Sequence, residues 1–209
     1  MCNSRSLLVT GRNEEMSMSI SAASILSRAY AGNVYFKDEN YRKNSSNHEV
    51  VSADRKAMVR ALERLDGLDF DSTDEDDTKS IYNTVTSYLD IYNNAVSSAN
   101  ASNSSDIRRT GKAMKALMKE YGSSLEAIGI QVKSDGTVKI DKSELKKATT
   151  SQVSRVFGDD DYLSGMNKLM NKLRNQVNRE VPRQEVQNST VKNDSLSSET
   201  VGRNLNLYV

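Results

Sequence analysis

Three stretches of this sequence repeat apolar residues at alternating intervals of three and four, and that rhythm limits the fold more than any other feature. In the first, Ile81, Val85, Tyr88, Tyr92, Ala95 and Ala99 are spaced 4, 3, 4, 3, 4. In the second, Ile107, Gly111, Met114, Met118, Tyr121, Leu125 and Ile128 are spaced 4, 3, 4, 3, 4, 3. In the third, Leu163, Met166, Met170, Leu173 and Val177 follow at 3, 4, 3, 4. Such spacing lays one apolar seam along a helix and suits helix pairing. It predicts long helices over about 75–101, 105–128 and 159–179. The polar link "SANASNSSD" closes the first two into an antiparallel hairpin, with Ser104 or Ser105 as N-cap. The Ala-rich end of the first seam allows close approach, and the Tyr and Met stripes read as core rather than as ligand sites.

The segments around these helices are weaker signals. Residues 19–36 carry enough apolar residues for a short helix ended by Gly32. Residues 37–49 are charged and rich in Asn and Ser, which reads as a loop. Ser52 is a good N-cap for a helix whose stripe is Ala57, Met58, Ala61, Leu62 and Leu65, with Gly67 at its end. The acidic run "DFDSTDEDDT" suits the N-terminal approach to the next helix, where the macrodipole is positive. Pro182 is expected to stop the last helix. Hydrophobic residues make up 36% of the chain, Trp is absent and Phe occurs three times. Ordinary domains hold roughly 45–50% apolar residues with glycine counted, so the seams should be narrow. The expected fold is mainly α: an elongated antiparallel helical bundle or coiled coil over residues 19–178, with one small β-hairpin. Residues 1–18 and 183–209 are expected to be disordered.

That hairpin comes from "SDGTVKIDKSEL", which first suggests a calcium loop. With Gly136 at the sixth loop position, Gln131 and Lys133 fall at positions one and three, and Lys142 falls at twelve. Only Asp135 offers a carboxylate, and the lysines oppose a cation. The acidic run fails the same test, with Asp74 where glycine belongs and Ser80 where glutamate belongs. Alternation favours strands instead: Ile130 and Val132 on one side of Asp135-Gly136, Val138 and Ile140 on the other. A two-residue loop would set Val132 against Lys139 and split the apolar residues between faces. A three-residue loop, Ser134 to Gly136, pairs Val132 with Val138 and Ile130 with Ile140. The second register is the expected one, with the apolar face resting near Leu125 and Ile128. Asp141 and Glu144 then form an Asp variant of the capping box for a short helix through Ala148. Thr150 or Ser151 caps another short helix ending at Gly158, and Asp159 to Asp161 start the last one.

Several functional classes are disfavoured. The net charge is +1, and no aromatic residues are interleaved with Lys and Arg, so nucleic acid is not an expected partner. No run of about 18 apolar residues exists to span a membrane. The first residues lack an apolar core for a cleavable signal, and the lone Cys2 forms no internal disulfide. The sequons at Asn44, Asn103 and Asn188 read as composition. His48, the only histidine, falls in the expected loop, and carboxylate pairs such as Asp76 and Asp77 lie in a solvated run. No nucleophile elbow, phosphate-cradling loop or Cys/His cluster is present, so neither an enzyme nor a cofactor or metal site is expected.

The order of these pieces resembles the C-terminal part of the flagellar filament-capping, hook-associated proteins. The residues that carry the likeness are Tyr92-Asn93, then Leu125, Ile128, Gly129 and Ile130. They continue with Asp135, Gly136, Val138, Ile140, Asp141, Leu145 and Ala148, then Val153, Val156 and Phe157. The likeness spans about 81–177. It implies a stalk of packed helices, a homo-oligomeric cap at the growing filament tip, and export through the flagellar apparatus without a cleaved signal. It further implies flagellin, hook-junction proteins and an export chaperone as partners, and an extracellular place on a bacterial flagellum. The family's outer β-rich domains have no counterpart here, since only residues 50–70 precede the matched part after an unaligned N-terminus. A non-flagellar helical adaptor, cytoplasmic or at the surface, is the alternative expectation.

Overall fold

The computed structural model describes residues 20–193, with side chains described for residues 20–180. The expectations for residues 1–18, for Cys2 and for residues 194–209 lie outside the described residues, while residues 183–193, also expected to be disordered, continue the last helix. The chain forms α1 (Ala22–Ala29), a 3-10 turn (Val34–Lys37), α2 (Glu39–Asn44), α3 (Asn47–Asp66) and α4 (Glu75–Asn100). It continues with α5 (Ser105–Glu120), α6 (Gly122–Glu126), β1 (Ile130–Val132), β2 (Val138–Ile140), α7 (Lys142–Lys147), α8 (Thr150–Phe157) and α9 (Asp160–Asn193).

Four of these helices close a bundle. α3 packs on α4, α4 on α5, α5 on α9, and α9 returns to α3. Side-chain bonds give the directions. Asn47 of α3 reaches Ser98 of α4, while Arg64 reaches Thr84. Thr110 of α5 meets Gln176 of α9, and His48 of α3 meets Val177. Every neighbouring pair is therefore antiparallel, an up-down-up-down arrangement. The seam residues of α4, Ile81 to Ala99, are all no more than 1% exposed, as are Leu89, Ile91 and Val96 off the seam. A single narrow seam is thus too little for α4, because α1, α3, α5 and β2 surround it. Where Gly111 of α5 faces α4, a Cβ on it would stand 3.0 Å from the Ala99 Cβ. Small residues at that point permit the approach.

Several boundaries differ from the sequence expectation, each for a local reason. Residues 37–49 are largely helical rather than a loop. Asp38 caps α2 through the Tyr41 N–H, and Ser46 and Glu49 form a reciprocal capping box that starts α3. Ser52 is therefore inside α3 and caps nothing. α5 ends at Tyr121 rather than continuing to Ile128, since Gly122 follows and the chain turns into α6. Tyr121 is half-buried there, its hydroxyl donating to Asp159 Oδ1 at 2.8 Å. Thr149, not Thr150 or Ser151, caps α8, in a capping box with Gln152. Asp141 caps α7 by accepting from Ser143 and Glu144, but Glu144 turns to Lys147 instead of completing the box. Pro182 does not end α9, which runs on to Asn193 with one backbone donor fewer.

The hairpin pairs Ile130 with Ile140 and Val132 with Val138, the three-residue-loop register. Gly136 carries the positive φ, +92°, that this loop needs. Gly129 carries another, +79°, where the chain leaves α6 for β1. A Cβ on Gly129 would sit 2.6 Å from the Glu144 Cβ. Gly129→Ala is expected to lower the unfolding free energy by about 2 kcal/mol or more, from strain and clash together. Urea denaturation measures it, and a loss below about 0.5 kcal/mol would mean that the corner relaxes freely.

Candidate interaction surface

The polar side chains buried in this protein are spent on holding it together. Asp54, on the inner face of α3, is fully buried. Its Oδ1 accepts from Arg42 Nη1 at 2.6 Å and from the Tyr30 hydroxyl at 2.7 Å, and its Oδ2 accepts from Arg42 Nη2 at 2.8 Å. Arg42 also donates to the Phe36 carbonyl at 3.1 Å, and Asn94 of α4 donates to Tyr30 at 3.1 Å. α1, the 3-10 turn and α2 are so clamped to the bundle at one carboxylate. Burial pushes the Tyr30 phenol well up, and Asp54 adds to that. Burial works against the Arg42 charge, yet Asp54 raises its pKa on balance.

A second buried cluster joins α4, α5, α8 and α9. The Tyr88 hydroxyl donates to that of Tyr162 at 2.6 Å, and Tyr162 points its proton at Met118 Sδ, 3.8 Å away. Phe157 stands edge-on to both rings. The hairpin is fixed by α4: Tyr92 donates to the Gly136 carbonyl at 2.9 Å. The Asn93 amide donates to the Val138 carbonyl at 2.9 Å and accepts from its N–H at 2.7 Å. Burial raises the pKa of Tyr88, Tyr92 and Tyr162. Lys115 of α5 holds the loop through the Ser134 carbonyl. Asp135 and Asp141, both exposed, are kept below the usual carboxylate range by local donors, Thr137 for the first and the Glu144 and Ser143 N–H groups for the second.

The seam and hairpin residues therefore gather into one core. Ile81, Val85, Tyr88, Tyr92, Met114, Met118, Leu125, Ile128, Ile130, Val138, Leu163, Met166, Met170 and Leu173 are buried in it. Tyr121, Val132 and Ile140 pack against it half-buried. None of them presents a reactive group to a cleft. His48 is not in a loop. It lies in the first turn of α3, and its Nε2 must carry the proton, because its partner at 3.1 Å is the Val177 carbonyl. A cavity near Asp66, Asp69, Asp71 and Asp160 is acidic, yet no three His, Cys, Asp or Glu side chains among the described residues are placed to hold a metal.

What the described surface does offer is aromatic. Val34, Tyr35 and Tyr41 are 44%, 68% and 43% exposed, the large apolar side chains most open to solvent. Tyr35 and Tyr41 lie against each other with centroids 5.5 Å apart and planes tilted by 33°, and Tyr41 stands edge-on to the buried Phe36 at 5.0 Å. Amphipathic aromatic residues held by a rigid base are favoured at protein interfaces. Sequence reasoning missed this surface because Gly32 read as the end of the first helix and residues 37–49 as a loop. Asp38, an N-cap residue type that accepts from the Tyr41 N–H, was the signal that could have placed Tyr41 on a helix. No family model, no curated protein and no solved structure matches the chain.

Proposed function

We propose that this chain is a structural, self-associating component of a flagellar filament assembly, of the filament-cap type, exported by the flagellar route and free of catalysis. One observation carries the reading: the residues on which the resemblance rests act as a single mechanical unit. Tyr92 and Asn93 grip the hairpin backbone at Gly136 and Val138. Gly129 makes the bend into β1, and Leu145, Val153, Val156 and Phe157 are buried in the same core. Residues so used brace a corner of the bundle and leave no group for a substrate. In this reading the partners are further copies, flagellin, hook-junction proteins and an export chaperone, and Val34, Tyr35 and Tyr41 form part of the contact surface.

In a flagellated host carrying the gene, the chain is expected in sheared flagella or culture supernatant, and its loss should shorten filaments. A strictly cytoplasmic chain whose loss leaves filaments normal overturns the reading. Replacing Tyr35 and Tyr41 together by serine is expected to reduce co-sedimentation with filaments by about tenfold or more without lowering thermal stability. One observation favours a second reading, a helical adaptor: the exposed aromatic pair lies at 35 and 41, outside the span of the resemblance. Capture of a single soluble partner, with no flagellar protein, would select it.

A further inference from the structure

Charge is unevenly distributed along the groove between α3 and α9. His48 of α3 meets the Val177 carbonyl of α9, which fixes the register of the two antiparallel helices. On α9, the positions just before seam residues face α5: Gln176 is bonded to Thr110, and Gly165 lies against Leu117. The positions just after seam residues, Asn167, Asn171, Arg174 and Asn178, therefore flank α3, and all four are exposed. On α3, Ser52, Arg55 and Val59 follow His48 at steps of 4, 3 and 4 and form the facing stripe. From the His48–Val177 contact, Arg55 lies about 10 Å along α3 and Arg174 about 4–5 Å the same way along α9. With helix axes about 8–10 Å apart, the two guanidinium groups can meet one carboxylate.

Nothing acidic stands nearby to neutralise them. Between Arg55 and Leu62 in α3, and between Tyr162 and Arg179 in α9, every charged residue is Lys or Arg. Ion pairs among the described residues lie elsewhere, at Arg42, Lys43, Lys79, Arg109 and Lys147. Burial, then the charges of Arg174 and Arg60, hold the Arg55 pKa below its ordinary value. The complement sits at one end of the same molecule. Residues 65–78, which join α3 to α4, carry seven acidic residues and no Lys or Arg. Asp66, Asp69 and Asp71 share a cavity there with Asp160 of α9. The turn is pre-formed: Ser72 donates to Asp77 Oδ2 at 2.5 Å, and the Asp71 N–H donates to Asp69 Oδ1 at 3.0 Å. Asp69 and Asp71 are exposed, while Asp74 caps α4 and Glu75 pairs with Lys79. Asp66, the acidic residue of this turn nearest in sequence, is 11 residues past Arg55, about 16 Å along α3. That is about twice the screening length of about 8 Å at physiological salt, so the two patches do not satisfy each other within one copy.

We propose that the Arg55–Arg174 groove of one copy receives the acidic turn at residues 69–77 of a second copy, an inference that rests on the self-association proposed above. Asp69 and Asp71 meet the two guanidinium groups, and the Asn171 and Asn178 amides supply further donors to the docked carboxylates. Nucleic acid is a poorer match, because the stripes beside the two arginines hold Asn, Ser and Val and no aromatic ring to stack on a base. Two different patches meet, so the contact is head-to-tail and adds copies until a ring closes.

Sedimentation of the full chain and two variants tests this. Arg55→Gln with Arg174→Gln neutralises the groove. Asp69→Asn with Asp71→Asn neutralises the turn and keeps the Asp69 acceptor. Each variant alone is expected to self-associate about tenfold or more weakly than the parent. Mixed, the two should form a one-to-one pair and stop there, since only the turn of the first and the groove of the second are intact. Raising salt from about 50 to about 500 mM should weaken association of the parent about tenfold or more. Should the double arginine variant lose helical circular dichroism, Arg174→Gln alone, at an exposed position, reads the same loss. A parent that stays monomeric at low salt, or association unchanged in both variants, overturns the docking. Heparin binding by a chain that stays monomeric would assign the groove to a polyanion and overturns it as well. Recovery of the parent from sheared filaments tests the proposed function separately, so either can fail alone.

Discussion

Asp54→Ala is expected to lower the unfolding free energy by about 3–5 kcal/mol, the range for breaking a buried ion pair from one side. The carboxylate has no solvent to fall back on, since the Asp54 side chain is 0% exposed and that of Arg42 is 15% exposed. Its removal strands a guanidinium and a phenol that burial has already desolvated. The damage should be local at first. Amides of α1 and α2 should exchange early, while α3, α4, α5 and α9 remain protected. Denaturant unfolding and hydrogen exchange read the two effects together. A loss below about 1 kcal/mol would show that water enters and solvates the stranded groups.

The same network separates pairing from burial. Tyr30→Phe alone removes one donor from an acceptor that keeps both Arg42 bonds, so it should cost about 1 kcal/mol. Arg42→Met leaves a buried carboxylate with only Tyr30 and should approach the cost of Asp54→Ala. The triple change to an apolar cluster, Tyr30→Phe with Arg42→Met and Asp54→Leu, leaves no stranded group and should recover most of that loss. Recovery would mean that the clamp specifies where α2 docks more than it stabilises the fold.

Legibility in the sequence followed the range of the interaction. The Val132–Val138 pairing was readable because alternation on both sides of Asp135-Gly136 leaves one register that keeps the apolar residues on a single face. α4 and the start of α5 were readable from seam spacing, with α4 observed over Glu75–Asn100. The start of α3 was masked by polar composition, although Ser46 and Glu49 carried its capping signal. Tyr121 continues the heptad rhythm in sequence, yet its bond to Asp159 and the following glycine turn the chain. The Arg42–Asp54 clamp and the Asn93 grip on Val138 had no local signature. Each needs two elements brought together by the rest of the bundle, so only the folded geometry reveals it.

Raising the pH above 10 should unfold this protein through its tyrosines. Tyr30, Tyr88, Tyr92 and Tyr162 all have phenol pKa values raised by burial above the ordinary value of 10.0. A proton held more tightly by the folded chain contributes stability that is complete below the unfolded pKa. It is lost as pH climbs from there toward the folded values, because the unfolded chain ionises first. At pH 11 the loss is about 1.4 kcal/mol for each such phenol, or roughly 5–6 kcal/mol for the four. That is comparable with the whole stability of a domain, about 5–15 kcal/mol. Lysine deprotonation also begins in this range, so the assignment needs variants. Tyr30→Phe and Tyr92→Phe should each flatten the pH dependence by one proton, whatever they do to stability at neutral pH. Helical circular dichroism and tyrosinate absorbance should change in one cooperative step for these phenols. Tyrosinate from all nine tyrosines in a chain that stays helical would refute the coupling. Met118 makes the case sharper: the Tyr162 proton points at its sulfur, a poor acceptor, so ionising Tyr162 in place would bury a phenolate beside a thioether with only the Tyr88 hydroxyl to hold it.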